Sequence, residues 1–400
     1  MSGTITSQLR TGRLARQWLA ASAVLLLSVS VAAVAQSQVY ESQQHKFRVV
    51  TVAEALENPW SIAWLPDGDM LVTERPGRLR IIRDGELLPD AVPGVPEVQA
   101  RGQGGLQEVA VHPDFESNRL VYLSFSKPNA EGLATTAVVR GRLENDRLTN
   151  VEEVFEAKAW SNTIGHYGAR IVFDGNGYMF VTVGDRMAPP AGDLEAHPAQ
   201  DLSNHQGTIV RLHDDGRVPE DNPFVGQENA LPEIWSYGHR NLQGLAMNRE
   251  TGELWNTEHG PQGGDELNYV QPGRNYGWPV IGYGVNYGSG IPIHGSRERE
   301  GMEQPAAFWV PSIAASGLMV YNGDQFPMWR GSLFAGGMSA QYQQLSRLMV
   351  DGSRVTNREA LLSGVYRIRD VREGPDGYIY LAVDHRFGQP TPIVRLEPAD

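Results

Sequence analysis

The sequence predicts an all-β chain folded as a six-bladed β-propeller of four-stranded antiparallel blades. Three observations predict it. Gly 44 and Pro 25 are spread along the chain rather than gathered in one linker, as many short strands joined by turns require. No long amphipathic helical period follows residue 36. A turn followed by a β-rich run recurs six times, at spacings of roughly 45–80 residues, where a blade needs about 40–50 before loops are added.

The six runs are Asp67-Gly68 before DMLVTE, Asn118 before RLVYLSF, and Asp174 to Gly177 before YMFVTVGD. They continue with Thr251-Gly252 before ELWNTEHG, Arg330-Gly331 before SLFAGGM, and Asp376-Gly377 before YIYLAVD. Six blades fill residues 45–398. Uneven spacing fits loop insertions on one face, where propellers build sites. A two-sheet sandwich is the competing architecture, and repetition favours radial closure. Phe47–Val52 and Pro392–Leu396 are both strand-like, and pairing them in one blade would remove a sheet edge.

Ahead of the first blade, residues 1–17 carry Arg10, Arg13 and Arg16 and no acid. Residues 18–35 are an apolar run ending Ala33-Val34-Ala35. A basic region, an apolar core and an A-x-A ending describe a secretory signal peptide. Cleavage after Ala35 is expected, leaving one propeller domain, residues 36–400, in the periplasm or secreted. An uncleaved anchor is the alternative, at the short limit of the about 20 residues that span a bilayer. No later segment is long and apolar enough to span one, so no stable membrane insertion is expected after cleavage.

The chain has no cysteine, which excludes disulfides and cysteine-based metal or redox chemistry. Its formal charge of −13 becomes −16 if the three leader arginines are removed. Such a surface repels nucleic acid and anionic lipid. It is compatible with a cation site and a neutral substrate.

Five segments place costly residues among glycines or at strand spacing. In RGQGGL, glycines admit close backbone approach and Gln103 can hydrogen-bond a ligand; a tight turn between blades is the alternative. In GHYGARIVF, His166 sits between two glycines ahead of a strand, and Asp185 ends the next apolar run. Adjacent antiparallel strands would bring the two together as general-base equipment, the alternative being a turn histidine. Arg240-Asn241 in SYGHRNLQG can hold an anion or a carbonyl oxygen, against a surface ion pair. EHGPQGGDELN, running on to NYGWP, sets carboxylates in a glycine-rich loop, the oxygen-rich chemistry of calcium, or an ordinary acidic loop. In YRIRDVREGPDG, Arg367 and Arg369 are two apart, which on a strand means one face. They require an anion, or neutralisation by Asp370 and Glu373.

Together and in this order, these motifs make residues 45–398 resemble the soluble pyrroloquinoline quinone (PQQ)-dependent aldose sugar dehydrogenases, relatives of soluble glucose dehydrogenase. The resemblance implies a propeller with PQQ at the top of the central channel. It implies His166 as catalytic base and Asp185 as the acid near base and substrate. Gln103, Arg240, Asn241, Arg367 and Arg369 match residues that hold PQQ. Gly260 and Pro261 match carbonyl ligands of its calcium, and Glu266 and Tyr276 match calcium positions of the aldose branch. Two departures from the glucose-specific branch stand out. Gly165 occupies the position of an acid just before the base, and residues 331–345 lack a lysine found there near the cofactor. Both favour the broader aldose branch.

The implied reaction oxidises an aldose at its anomeric carbon to the lactone and passes electrons to an external acceptor. Two rivals use the same fold. A calcium-dependent lactonase leaves the arginine pairs unexplained. A non-enzymatic sugar-binding propeller explains Trp235, Tyr276 and Trp278 but not a glycine-flanked His166.

Overall fold

The computed structural model describes residues 38–399. Each of the six repeated runs forms the second strand of a blade. These strands are Met70–Glu74, Leu120–Pro128, Tyr178–Val183, Leu254–Glu258, Leu333–Gly337 and Ile379–Val383. They read as apolar runs because a neighbouring blade covers each face: Met70–Glu74, Leu254–Glu258, Leu333–Gly337 and Ile379–Val383 are buried at every position.

The innermost strands are Pro59–Trp64, Leu106–Val111, Gly168–Phe173, Leu242–Met247, Ala315–Val320 and Ile368–Glu373, here defining blades 1 to 6. Each touches the next, and the sixth touches the first, so the ring is closed. Lys46–Leu56 pairs with Thr391–Pro398, with Val49 opposite Leu396, and completes blade 6 from the other end of the chain. Val39–Glu41 adds a fifth strand to that sheet. The closure expected from Phe47–Val52 and Pro392–Leu396 is therefore the one observed.

Six apolar clusters hold the ring, one between each adjacent pair of blades. The one between blades 5 and 6 is aromatic, with Phe47, Phe326, Trp329 and Phe334 buried together. The channel side of the innermost strands is polar. Ser61, Glu108, Arg170, Gln243, Ser316 and Asp370 are all buried there. Buried charges must be paired. Arg170 accordingly pairs with Glu108 at 3.0 Å and with Asp370 at 2.9 Å, and Arg372 pairs with the same two acids.

Every innermost strand slips register against its second strand within its first few residues. Such bulges re-aim side chains and favour the rims of sites. They occur at the end where innermost strands begin and second strands finish. The expected site residues lie at that same end.

Candidate active site

His166 stands two residues ahead of the innermost strand of blade 3, and Asp185 two residues past its partner strand. Gly168 is paired with Val183, so the antiparallel ladder sets the two side by side. His166 Nδ1 lies 2.6 Å from Asp185 Oδ1. Asp185 also accepts from Trp278 Nε1 at 2.8 Å and from the Met187 amide at 2.9 Å. An acid on Nδ1 fixes the proton there and leaves Nε2 its lone pair. Burial holds the His166 ring below its ordinary pKa, with Asp185 opposing that shift and Arg240 adding to it. Burial raises Asp185, but His166 and Arg240 outweigh it and keep the carboxyl below its usual range.

The local backbone is built for this presentation. His166 has φ +52°, a left-handed conformation uncommon in non-glycine residues. A Cβ on Gly184 would stand 2.3 Å from the His166 carbonyl oxygen, so only glycine fits there. The buried Arg186 stacks on Tyr167 at 3.6 Å and donates to the carbonyls of Gly165 and Thr163, fastening the loop that carries His166. Gln103 accepts from the His166 amide at 2.8 Å, which ties the loop that opens blade 2 to the base.

Next to the base, across Gln103, lies a cavity of about 140 Å³ that is open to solvent. Gln103, Arg367 and Arg369 line it, with Trp60, Gln243 and His259. Arg75, Arg386 and Asp384 complete its charged wall. Asp384 meets Arg367 Nε at 3.0 Å and Arg369 at 3.9 Å. One carboxylate thus faces four arginines. Burial lowers the Arg369 guanidinium to about 9; Asp384 opposes this, while Arg367, Arg75 and Arg170 add to it. An anionic ligand would relieve that excess. Orphaned donors point the same way: among the described residues, Arg240 Nε, Asn241 Nδ2 and His259 Nε2 are buried without a partner.

Gly260, Pro261, Glu266 and Tyr276 line a second, much smaller cavity of about 20 Å³, which shares His259 with the first. A Cβ on Gly260 would lie 2.3 Å from the Gly264 carbonyl, so the loop folds on itself only with glycine. Asn268 Nδ2 bridges Glu258 at 2.8 Å and Glu266 at 3.3 Å. Burial, then Glu258, pushes the Glu266 carboxyl well above its usual value. Two adjacent carboxylates, Glu258 buried and Glu266 half-buried, and nearby carbonyls fit a hard cation such as calcium, which would favour the ionised form of Glu266. Among the described residues no three acid or histidine side chains converge, so such a site would draw on main-chain oxygens. The Tyr276 hydroxyl is already committed to Tyr269 O at 2.6 Å, and its ring stacks on His239 at 4.5 Å; its carbonyl is the oxygen left to offer.

All eleven expected residues therefore lie at one end of the channel, with some details changed. Arg240 is not in a surface ion pair: it is buried, and its guanidinium donates to the carbonyls of His259 and Gly260. The strand in blade 6 begins at Ile368, so Arg367 precedes it. A register shift, not simple alternation, turns both arginines to the cavity. Their acid is Asp384, since Asp370 is taken by Arg170 and Arg372, while Glu373 accepts from the Asn322 amide. Trp235 packs on Phe180 within blade 3, away from both cavities. Sequence reasoning missed Asp384, Gln243 and Trp60. Asp384 was findable, for it ends the run YIYLAVD as Asp185 ends YMFVTVGD.

A closed propeller with a buried histidine–aspartate pair beside an arginine-lined cavity has the parts of a cofactor-dependent oxidoreductase. The chain belongs to the glucose/sorbosone dehydrogenase family, whose model matches residues 56–395. It is 44% identical over 355 residues to aldose sugar dehydrogenase YliI of Escherichia coli, covering 88% of this chain and 92% of that protein. It is 26% identical to quinoprotein glucose dehydrogenase B of Acinetobacter calcoaceticus, covering 91% of each. The solved PQQ-bound aldose sugar dehydrogenase of Streptomyces coelicolor superposes with a TM-score of 0.71 at 28% identity, over 90% of this chain and all of that one. The chain is thus an enzyme, an oxidoreductase of the sugar dehydrogenase class.

Proposed function

We propose that this enzyme oxidises aldose sugars at the anomeric carbon to the lactone, using PQQ and calcium and passing electrons to an external acceptor. The observation that carries the reading is the geometry of His166, a base oriented by Asp185 and tied through its amide to Gln103 in the wall of an arginine-rich cavity, with unpartnered buried nitrogens of Arg240, Asn241 and His259 close by.

His166 Nε2 removes the proton of the anomeric hydroxyl, because Nδ1 is occupied by Asp185. Asp185 holds the ring in that tautomer and stabilises the imidazolium as it forms. Its hydrogen bond from Trp278 keeps the carboxylate in place. Arg367 and Arg369 would hold the carboxylates of a tricarboxylate ligand, and Arg240 and Asn241 would supply further donors to it. Gln103 holds the loop of the base. Gly260, Pro261, Glu266 and Tyr276 would hold calcium through oxygen. When bound, PQQ supplies the hydride acceptor and calcium supplies charge stabilisation at the quinone oxygen. The sugar then leaves as a lactone, having lost one proton and one hydride. Gly165 leaves the rim beside the base without an acidic side chain, which suits a range of aldoses.

Residues 1–35 are proposed as an export leader, outside the described residues, with residues 36–400 as one catalytic propeller. Among the described residues no helix is long and apolar enough to cross a membrane. The test of function is reconstitution of the purified protein with PQQ and calcium, followed by dye reduction with several aldoses. Sugar-dependent reduction is expected. Lactone opening without PQQ would establish a hydrolase instead, and neither activity would leave a binding module.

A further inference from the structure

We propose that Arg170, which lies beneath the cavity and outside its lining, is a positioning residue that sets the geometry of the arginine cradle; this rests on the PQQ reading above. Arg170 is among the largest fully buried side chains of the protein. It rises from the innermost strand of blade 3 into the channel and reaches four other blades. Its guanidinium covers Trp60 of blade 1 at 4.1 Å. It pairs with Glu108 of blade 2 and with Asp370 of blade 6. Nε donates to the Gln243 carbonyl of blade 4 at 2.6 Å, and a terminal nitrogen donates to the Arg369 carbonyl at 3.2 Å.

The last two contacts carry the inference. Gln243 and Arg369 both line the cavity, and their side chains bond one another there, Arg369 to Gln243 Oε1 at 2.8 Å. Gln243 Nε2 in turn bonds Asn241 Oδ1 at 3.3 Å, which leaves the Asn241 amide nitrogen unpartnered. One buried guanidinium therefore fixes the main chain beneath two cavity residues and, through Gln243, the orientation of the neighbouring Asn241. The planar fork of arginine can hold two acids and two carbonyls at once; the point charge of lysine cannot. Arg372 supplies a natural control. It pairs with the same acids, Glu108 at 2.5 Å and Asp370 at 2.8 Å, but bonds no cavity residue.

The experiment titrates apo-protein with PQQ, following tryptophan quenching, and measures melting temperature in parallel. Arg170→Lys and Arg372→Lys should both melt lower than wild type. Only Arg170→Lys should raise the PQQ Kd, by about 10-fold, the order expected when a charge-assisted contact loses its alignment. Arg372→Lys should stay within about two-fold, since its contacts end in the acids. In an Arg369→Ala background, Arg170→Lys should add less than its full loss, because one of the residues it positions is already gone. An equal rise in Kd for both lysine variants, an unchanged Kd for Arg170→Lys, or additivity with Arg369→Ala would each reduce Arg170 to a structural ion pair and overturn the proposal. Should Arg170→Lys not fold, Gln243→Met breaks the bond to Arg369 from the cavity side and should give the same rise; an unchanged Kd there also overturns it. Wild-type protein that fails to titrate would instead remove the cofactor reading itself.

Discussion

Replacing Asp185 by asparagine isolates what the acid contributes to the base. The carboxylate serves three donors: His166 and Met187 share Oδ1, and Trp278 occupies Oδ2. An asparagine keeps the most bonds by turning its oxygen toward His166 and Met187, which sets its NH2 against the Trp278 N–H. The tautomer of His166 survives this arrangement, but the negative charge does not. That charge matters when His166 becomes an imidazolium. Two charges about 4 Å apart at an effective dielectric of about 20 interact by roughly 4 kcal/mol. At about 1.4 kcal/mol per decade this is up to about 10³-fold in rate. Asp185→Asn should therefore lower kcat of the PQQ-saturated enzyme by about 10²–10³-fold. Raising the pH should not restore it, because losing Asp185 removes a contribution that raises the histidine pKa. The assay is steady-state dye reduction at saturating PQQ and sugar, with the cofactor content of each preparation measured. A kcat within about three-fold of wild type at full loading would refute the role given to Asp185.

Other predictions concern the cavity walls and acid stability. Arg369→Ala should weaken PQQ binding by about 1.5–3 kcal/mol, the range for a hydrogen bond to a charged group, and an unchanged titration would return the cradle to neutralisation by Asp384 alone. Calcium should raise the melting temperature by mass action, and Glu266→Gln should blunt the rise; a chelator that leaves both melting and PQQ reconstitution untouched contradicts the cation site. His166, His259 and His294 are held below their ordinary pKa chiefly by burial. Below about pH 6.5 the unfolded chain binds protons that the folded chain refuses, so their contribution is present above that pH and lost as pH falls toward the folded values. Replacing the exposed-in-U proton acceptor, as in His294→Gln, should lessen the fall in melting temperature between about pH 7 and about pH 5; an identical pH profile would remove His294 from this linkage.

The parts of the fold legible in the sequence were the second strands. Covered on both faces, they read as short apolar runs after a turn, and all six were placed. The innermost strands were harder. Glu108, Arg170, Gln243 and Asp370 point into a polar channel, so the apolar pattern of those strands is broken where the chemistry is densest. The pairing of His166 with Asp185 followed from antiparallel geometry alone. The partner of Arg367 and Arg369 did not, because Asp384 approaches from the adjoining strand end, while Asp370 faces the channel and Glu373 caps the Asn322 amide. The link from Trp278 to Asp185 spans 93 residues and two blades, a distance that no local spacing encodes.

The most direct test of proton removal by His166 is single-turnover reduction of bound PQQ in wild-type and His166→Asn protein, both loaded with PQQ and calcium and mixed rapidly with an aldose. The variant should bind the cofactor as wild type does and reduce it about 10²–10⁴-fold more slowly, the usual loss when a general base is removed. The wild-type rate should fall as pH drops through the lowered pKa of His166. A folded, PQQ-loaded His166→Asn protein that reduces its quinone at the wild-type rate would contradict the mechanism at its centre.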